Sequence, residues 1–282
     1  MNIKPKEIAG CLATAILLFL SSCQTAADNN PPPLPEIQPS AAYTEPKAEV
    51  PASPFPNLQA ELLDNRNKTT SSPLGTFDFK NFSYPLPRGW QNQDQSDITL
   101  TDGHIIPVSV SIDEDMPDEE KIERRSRRRI GMSYVTTRFL DITGDGQDEA
   151  LVILKVETTG AAIPQFVYIY EWKDEKPELL WYFRTGDRAD GGLKDLRFEN
   201  GELVVELYGQ DRFLLGEVET GKITGDEEQL CCPIFFTRTS YKWNGSNFHL
   251  QKARLTYSTT DPSAPPVDKM GDIVNAQEKL KK

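Results

Sequence analysis

Between Leu74 and Tyr257 the chain is cut into short apolar runs by turn-forming residues, and that punctuation restricts it to β-structure. Phe77-Asp78-Phe79 and Phe82-Ser83-Tyr84 alternate until Pro85 and Pro87 interrupt them, and Ile105 to Ile112 alternates after the Asp102-Gly103 turn. Gly131 to Leu140 leads into an acidic loop and Ala150 to Val156 leads out of it. Phe166 to Trp172 and Leu179 to Phe183 are joined by Lys173-Asp174-Glu175-Lys176-Pro177. Leu193 to Phe198 and Glu202 to Tyr208 flank Asn200-Gly201, and Thr237 to Trp243 and Phe248 to Leu255 flank Asn244-Gly245. Asn-Gly between alternating runs is a strong hairpin signal because both residues tolerate positive φ. About ten strands at near-regular spacing predict a mainly β fold: one antiparallel β-rich domain, arranged as a sandwich or as propeller-like sheets. The best helical candidate, Asp118 to Arg129, is almost entirely charged.

The flanks are of a different composition. Lys4 and Lys6 precede an apolar run from about Ala9 to Leu20, too short to span a bilayer and shaped as a secretory signal. Its end, Leu20-Ser21-Ser22-Cys23, resembles the lipobox of bacterial lipoproteins. That resemblance implies a signal peptide over 1–22, cleavage before Cys23 and acylation of its thiol. More than one acyl chain, at about 0.8 kcal/mol per buried CH₂, gives a stable anchor to the membrane without spanning it. Gln24 in place of an aspartate leans toward the outer membrane in a two-membrane envelope. Residues 23–73 are rich in Pro, Ala, Asn, Ser and Glu and are read as a disordered linker, because so few large apolar side chains cannot repay the entropy of ordering. Leu58 to Leu63 suits a brief helical turn with nothing nearby to bury it. The globular domain is placed at 74–258 and a mobile tail at 259–282.

A formal net charge of -12 argues against nucleic acid as a partner, since displacing phosphate counterions needs a basic surface. The one basic run, Arg124-Arg125-Ser126-Arg127-Arg128-Arg129, follows an acidic block from Asp113 to Glu123, and the two are expected to neutralise each other.

The stretch with the most specific chemistry is Asp141-Ile142-Thr143-Gly144-Asp145-Gly146-Gln147-Asp148-Glu149. Oxygen-bearing side chains at its first, third, fifth and ninth positions, with glycine at the sixth, suit a hard cation such as calcium. The segment is similar to the calcium loop of FG-GAP and VCBS-type repeats, D-x-[DNT]-x-D-G-x-x-[DE], which links two antiparallel strands. The resemblance implies Asp141, Thr143, Asp145 and Glu149 as ligands, with the Gln147 carbonyl as a fifth and Asp148 turned to solvent. Ile223-Thr224-Gly225-Asp226 and Asp187 with Asp190-Gly191-Gly192 are faint echoes of it. The alternative is a tight turn in which Asp141 and Asp145 accept local backbone N–H groups.

Cys231-Cys232-Pro233 is the other unusual feature. With Cys11 lost with the signal and Cys23 acylated, Cys231 and Cys232 form the remaining thiol pair, read as a vicinal disulfide or as two unpaired side chains. A similar C-C-P segment, followed by a strand like Tyr241-Lys242-Trp243-Asn244-Gly245, occurs in bacterial lipoproteins, a resemblance that implies architecture rather than activity. Phe166, Tyr168, Tyr170 and Trp172 share one strand face, with Val167 and Ile169 opposite. Strands apolar on both faces are buried, so the row is read as core; an exposed row would stack on sugars. His104 and His249 are the two histidines, too few for a multi-histidine zinc site, and no G-x-S-x-G, Walker or dinucleotide motif is present. The expectation is therefore a non-enzymatic, lipid-anchored envelope module that binds an envelope protein or glycan or serves structurally, with calcium as cofactor. A carboxylate-based envelope hydrolase and a redox module using the vicinal cysteines are the alternatives.

Overall fold

The computed structural model describes residues 57–92, 94–157, 164–220 and 232–270. Cys23, Cys231 and the echo at 223–226 lie outside the described residues, as do the signal and most of the linker. The described elements are β1 (Ser83–Tyr84), β2 (Ile98–Thr99), β3 (His104–Ile105), α1 (Asp118–Arg127), β4 (Gly131–Leu140), β5 (Glu149–Glu157), β6 (Pro164–Lys173), β7 (Lys176–Asp187), β8 (Leu193–Glu199), β9 (Glu202–Tyr208), β10 (Leu214–Leu215), β11 (Val218–Glu219), β12 (Phe235–Trp243), β13 (Phe248–Ser258) and β14 (Asp268–Met270). The fold is β-rich, as the punctuation predicts.

A seven-stranded sheet runs β10-β11-β7-β6-β5-β4-β3, a five-stranded sheet runs β14-β13-β12-β9-β8, and β1 pairs with β2 alone. Every pairing between these strands is antiparallel except the single contact of β11 with β7. The chain therefore meanders from β4 to β7 and then makes two hairpins, β8-β9 and β12-β13. In the first hairpin turn Asn200 and Gly201 have φ of 53° and 80°, the left-handed pair that the dipeptide favours. At the second, Gly245 has positive φ but the Asn244 side chain instead accepts the backbone N–H groups of Ser246 and Asn247. Between β6 and β7 the turn shortens to Asp174 and Glu175, both at positive φ.

Alternation puts two different layers on the large sheet. Ala150, Val152, Leu154 and Val156 of β5 join Phe166, Tyr168 and Tyr170 of β6 in one cluster, covered by Leu74, Phe79, Tyr84, Leu86, Ile98 and Leu100. Leu151, Ile153, Val167 and Ile169 point the other way, into a second cluster with Leu193, Leu196, Leu203, Val205 and Leu207 of the five-stranded sheet. With both faces covered, β6 is buried from Pro164 to Tyr170 and Trp172 packs half-buried against the same cluster, so the aromatic row is core rather than a sugar platform. Tyr241 closes the second cluster, its hydroxyl accepting from Leu214 N at 2.7 Å and donating to Leu214 O at 2.8 Å.

The boundaries shift at both ends. The linker placed at 23–73 does not extend to Leu74: Leu62 is 0% exposed and belongs to the second cluster, and the Tyr208 hydroxyl donates to Leu58 O at 3.1 Å. Composition pointed to disorder because the partner surface is distant in sequence. The tail placed at 259–282 loses its first part in the same way, since Asp268–Met270 adds an edge strand to β13. The run 105–112 yields only His104–Ile105 as strand, followed by one bridge between Val108 and Arg129.

Candidate functional site

The acidic loop joins β4 to β5, whose last register pair is Leu140 with Glu149, so the two strands hold its ends together. Gly144 and Gly146 sit at φ of 80° and 91°, which lets the backbone fold back on the carboxylates. Asp141 Oδ1 accepts from Gly144 N at 2.8 Å and its Oδ2 from Gly146 N at 3.0 Å, while Asp145 Oδ1 accepts from Gln147 N at 2.8 Å. Glu149 Oε2 accepts from Ile142 N at 2.8 Å and Thr143 N at 3.1 Å, and Thr143 Oγ1 donates to Glu149 Oε1 at 3.1 Å.

Carboxylate oxygens of Asp141, Asp145 and Glu149 come within 4.8 Å of one another. Oxygens on opposite sides of a calcium ion stand about 5 Å apart, so this donor set fits inside one coordination sphere. The Thr143 hydroxyl lies beside Glu149 with lone pairs left over after its donation, and Gln147 is exposed at the rim. Glu149 is 1% exposed, and burial pushes its pKa up to about 7 against the pull of its backbone and Thr143 donors. A cation is chemically compatible with the set: it would supply the charge that burial withholds from Glu149. The Asx-turn hydrogen bonds are present as well, so both descriptions of the loop share one geometry. Asp148 is half-buried and accepts from Thr70 Oγ1 at 2.6 Å, rather than facing solvent.

The other singled-out positions are dispersed. Cys232 is exposed. His104 lies on the seven-stranded sheet; His249 lies on the five-stranded sheet with its Nε2 2.7 Å from Asn244 Nδ2. Asp190 is taken up by an ion pair with Arg212, whose Nη1 also meets Glu219 Oε1 at 2.6 Å, so this echo of the acidic loop carries its own internal cation.

A second convergence of charge was hidden in the strand pattern. Asp195, Glu206 and Arg238 form one cross-strand row over β8, β9 and β12. Lys194 Nζ meets Glu206 Oε2 at 2.8 Å and Glu61 Oε2 at 2.6 Å; Arg197 and Arg238 meet Glu206 Oε1 at 2.8 and 2.7 Å. Arg138, 0% exposed, reaches Asp195 Oδ1 and the carbonyls of Leu196 and Glu61. Two register shifts make this possible. One between Tyr134 and Thr136 reverses the facing of β4, so that Tyr134 and Phe139 both enter the aromatic layer while Arg138 points to the other side. The second, between Leu193 and Asp195, keeps Leu193 and Leu196 in the second cluster while Lys194 and Asp195 both face the other way, on the side of Glu206. Burial works to raise the Glu206 pKa, but Lys194 and Arg197 outweigh it and hold the carboxyl at about 2. The network is the clamp that fastens residues 58–66 to the sheets, and its acids are matched by Lys194, Arg138, Arg197 and Arg238.

Comparison of the chain with family models, with curated proteins and with solved structures returns no match.

Proposed function

We propose that this chain is an exported, non-enzymatic binding or structural module, acylated at Cys23 and carried on the bacterial envelope membrane, with its β domain on the extracytoplasmic side and calcium holding the 141–149 turn. Where the envelope has two membranes, Gln24 favours the outer one. The observation that carries the calcium part is the approach of the Asp141, Asp145 and Glu149 carboxylates to within 4.8 Å at a turn between two central strands. The apolar run before Leu20-Ser21-Ser22-Cys23 supports the anchoring part. Asp141, Asp145 and Glu149 hold the ion by carboxylate oxygen, with Thr143 Oγ1 and the Gln147 carbonyl completing the set.

Without the ion, Asp141, Asp145 and the partly ionised Glu149 crowd like charge across the turn, which loosens the β4-β5 junction. Calcium at about 100 times its dissociation constant stabilises the bound fold by ~2.7 kcal/mol, a clear rise in thermal midpoint. Asp145→Ala abolishes that rise and leaves a stability close to that of the chelated parent. If millimolar calcium moves neither the midpoint nor a calorimetric titration of the chelated chain, the loop is an Asx-stabilised turn and the cofactor part of the proposal fails.

A further inference from the structure

The basic run at the end of α1 is only partly neutralised. Arg124 pairs with Glu120 at 2.9 Å, Arg127 with Glu123 at 2.5 Å, and Arg129 reaches across to Asp94 at 2.7 Å. Arg125 and Arg128 make no side-chain hydrogen bond or ion pair among the described residues, and both line a cleft of about 380 Å³ with Trp90, Asn92 and Ile130. Two unmatched guanidinium groups beside a cleft are notable in a chain with a net charge of -12.

The walls are built to stay in place. Arg129, next to Arg128, ties the helix side to Asp94 of the opposite loop, and its backbone exchanges hydrogen bonds with Val108 at 3.0 and 3.2 Å. On the loop side, Asn92 Nδ2 donates to Ser96 O at 3.1 Å. Trp90 is half-buried and sits edge-on against Phe166 of the core at 5.7 Å, so one margin of the indole is fixed while another faces the cleft. The volume lies at the small end of the range of about 300–1,000 Å³ occupied by small-molecule sites. Guanidinium forks match carboxylate and phosphate oxygens in pairs, and a fixed indole offers an apolar face for the group that bears them.

We infer that the cleft between residues 89–92 and 125–130 is an anion-binding site, which takes a phosphate carried on a ring or short apolar stem. The charge seats between Arg125 and Arg128, and the stem lies against Trp90 and Ile130. Such a group belongs equally to a free metabolite and to a lipid headgroup, and the site is independent of both the calcium turn and the acylated cysteine.

The test is a titration of the full chain with phenyl phosphate, inorganic phosphate and a short-chain phosphatidylglycerol, with the Trp90 indole resonance followed by NMR. A saturating Trp90 shift with phenyl phosphate or phosphatidylglycerol, weakened about tenfold or more in R125Q/R128Q, supports the site, and the tighter of the two identifies the source. Both arginines are exposed and have no side-chain partner among the described residues, so the double variant keeps the parent thermal midpoint, which is measured alongside. No saturable shift with any probe up to about 10 mM, or equal affinity in the double variant, overturns the inference. Inorganic phosphate binding as tightly as phenyl phosphate overturns the role given to Trp90.

Discussion

Replacing Glu206 by glutamine removes the negative centre of the buried network while leaving its shape almost unchanged. Glu206 is 1% exposed and faces Lys194, Arg197 and Arg238 at 2.8, 2.8 and 2.7 Å. Its carboxyl is held at about 2 instead of the ordinary 4.5, a gap worth about 3 kcal/mol of stability at neutral pH. Loss of one partner from a buried ion pair independently predicts about 3–5 kcal/mol, because the cations left behind have no compensation. The sign follows from the depressed value: the contribution is complete above 4.5, where the unfolded chain is also ionised, and is lost as pH falls toward 2. The E206Q chain has no such titration. Urea unfolding followed by tryptophan fluorescence should therefore give a variant less stable by about 3 kcal/mol at pH 7, with the difference falling to about 1 kcal/mol near pH 3. A difference below about 1 kcal/mol at pH 7, or one that does not change with pH, refutes the claim that ion pairing at Glu206 holds the two sides of the clamp.

Three further outcomes are expected. Leu62→Ala costs about 2–5 kcal/mol in the same unfolding assay, because the side chain is fully buried in the second core cluster; a loss under about 0.5 kcal/mol would return residues 57–66 to the linker. Cys23→Ser leaves the chain without lipid and moves it from the membrane to the soluble fraction, as intact mass and fractionation will report; a variant that still carries lipid ends the anchoring proposal. Peptide mapping under non-reducing conditions finds Cys231 and Cys232 joined to each other or unpaired, and a cross-link from either to Cys23 contradicts the acylation of that thiol.

Strand identity was legible because it is written locally. β4 and β9 match the apolar runs residue for residue, and Asn200-Gly201 adopts the positive φ pair that its composition favours. The burial of Phe166, Tyr168 and Tyr170 followed from a strand apolar on both faces, and the acidic loop from side-chain spacing alone. The bounds of the folded part were not legible, because Leu62 and Asp268–Met270 are held by surfaces far away in sequence. Residues 57–63 have the composition of a linker and become structure only when Arg138, Lys194 and Tyr208 meet them.

The buried network shows the physical reason most clearly. On alternation, Glu206 and Arg238 occupy positions that read as a solvent face, and Arg138 would share the facing of Met132 and Tyr134. A single extra residue in β4 reverses that facing, and a covering segment removes the solvent. The sequence by itself determined the strand periodicity, the turn chemistry and the set of oxygen donors from Asp141 to Glu149, because these depend on neighbours within a few residues. The tertiary structure alone decided which charges are buried, which arginines beside Trp90 lack a partner among the described residues and that Leu62 joins the core, because register, bulges and burial depend on contacts between distant segments.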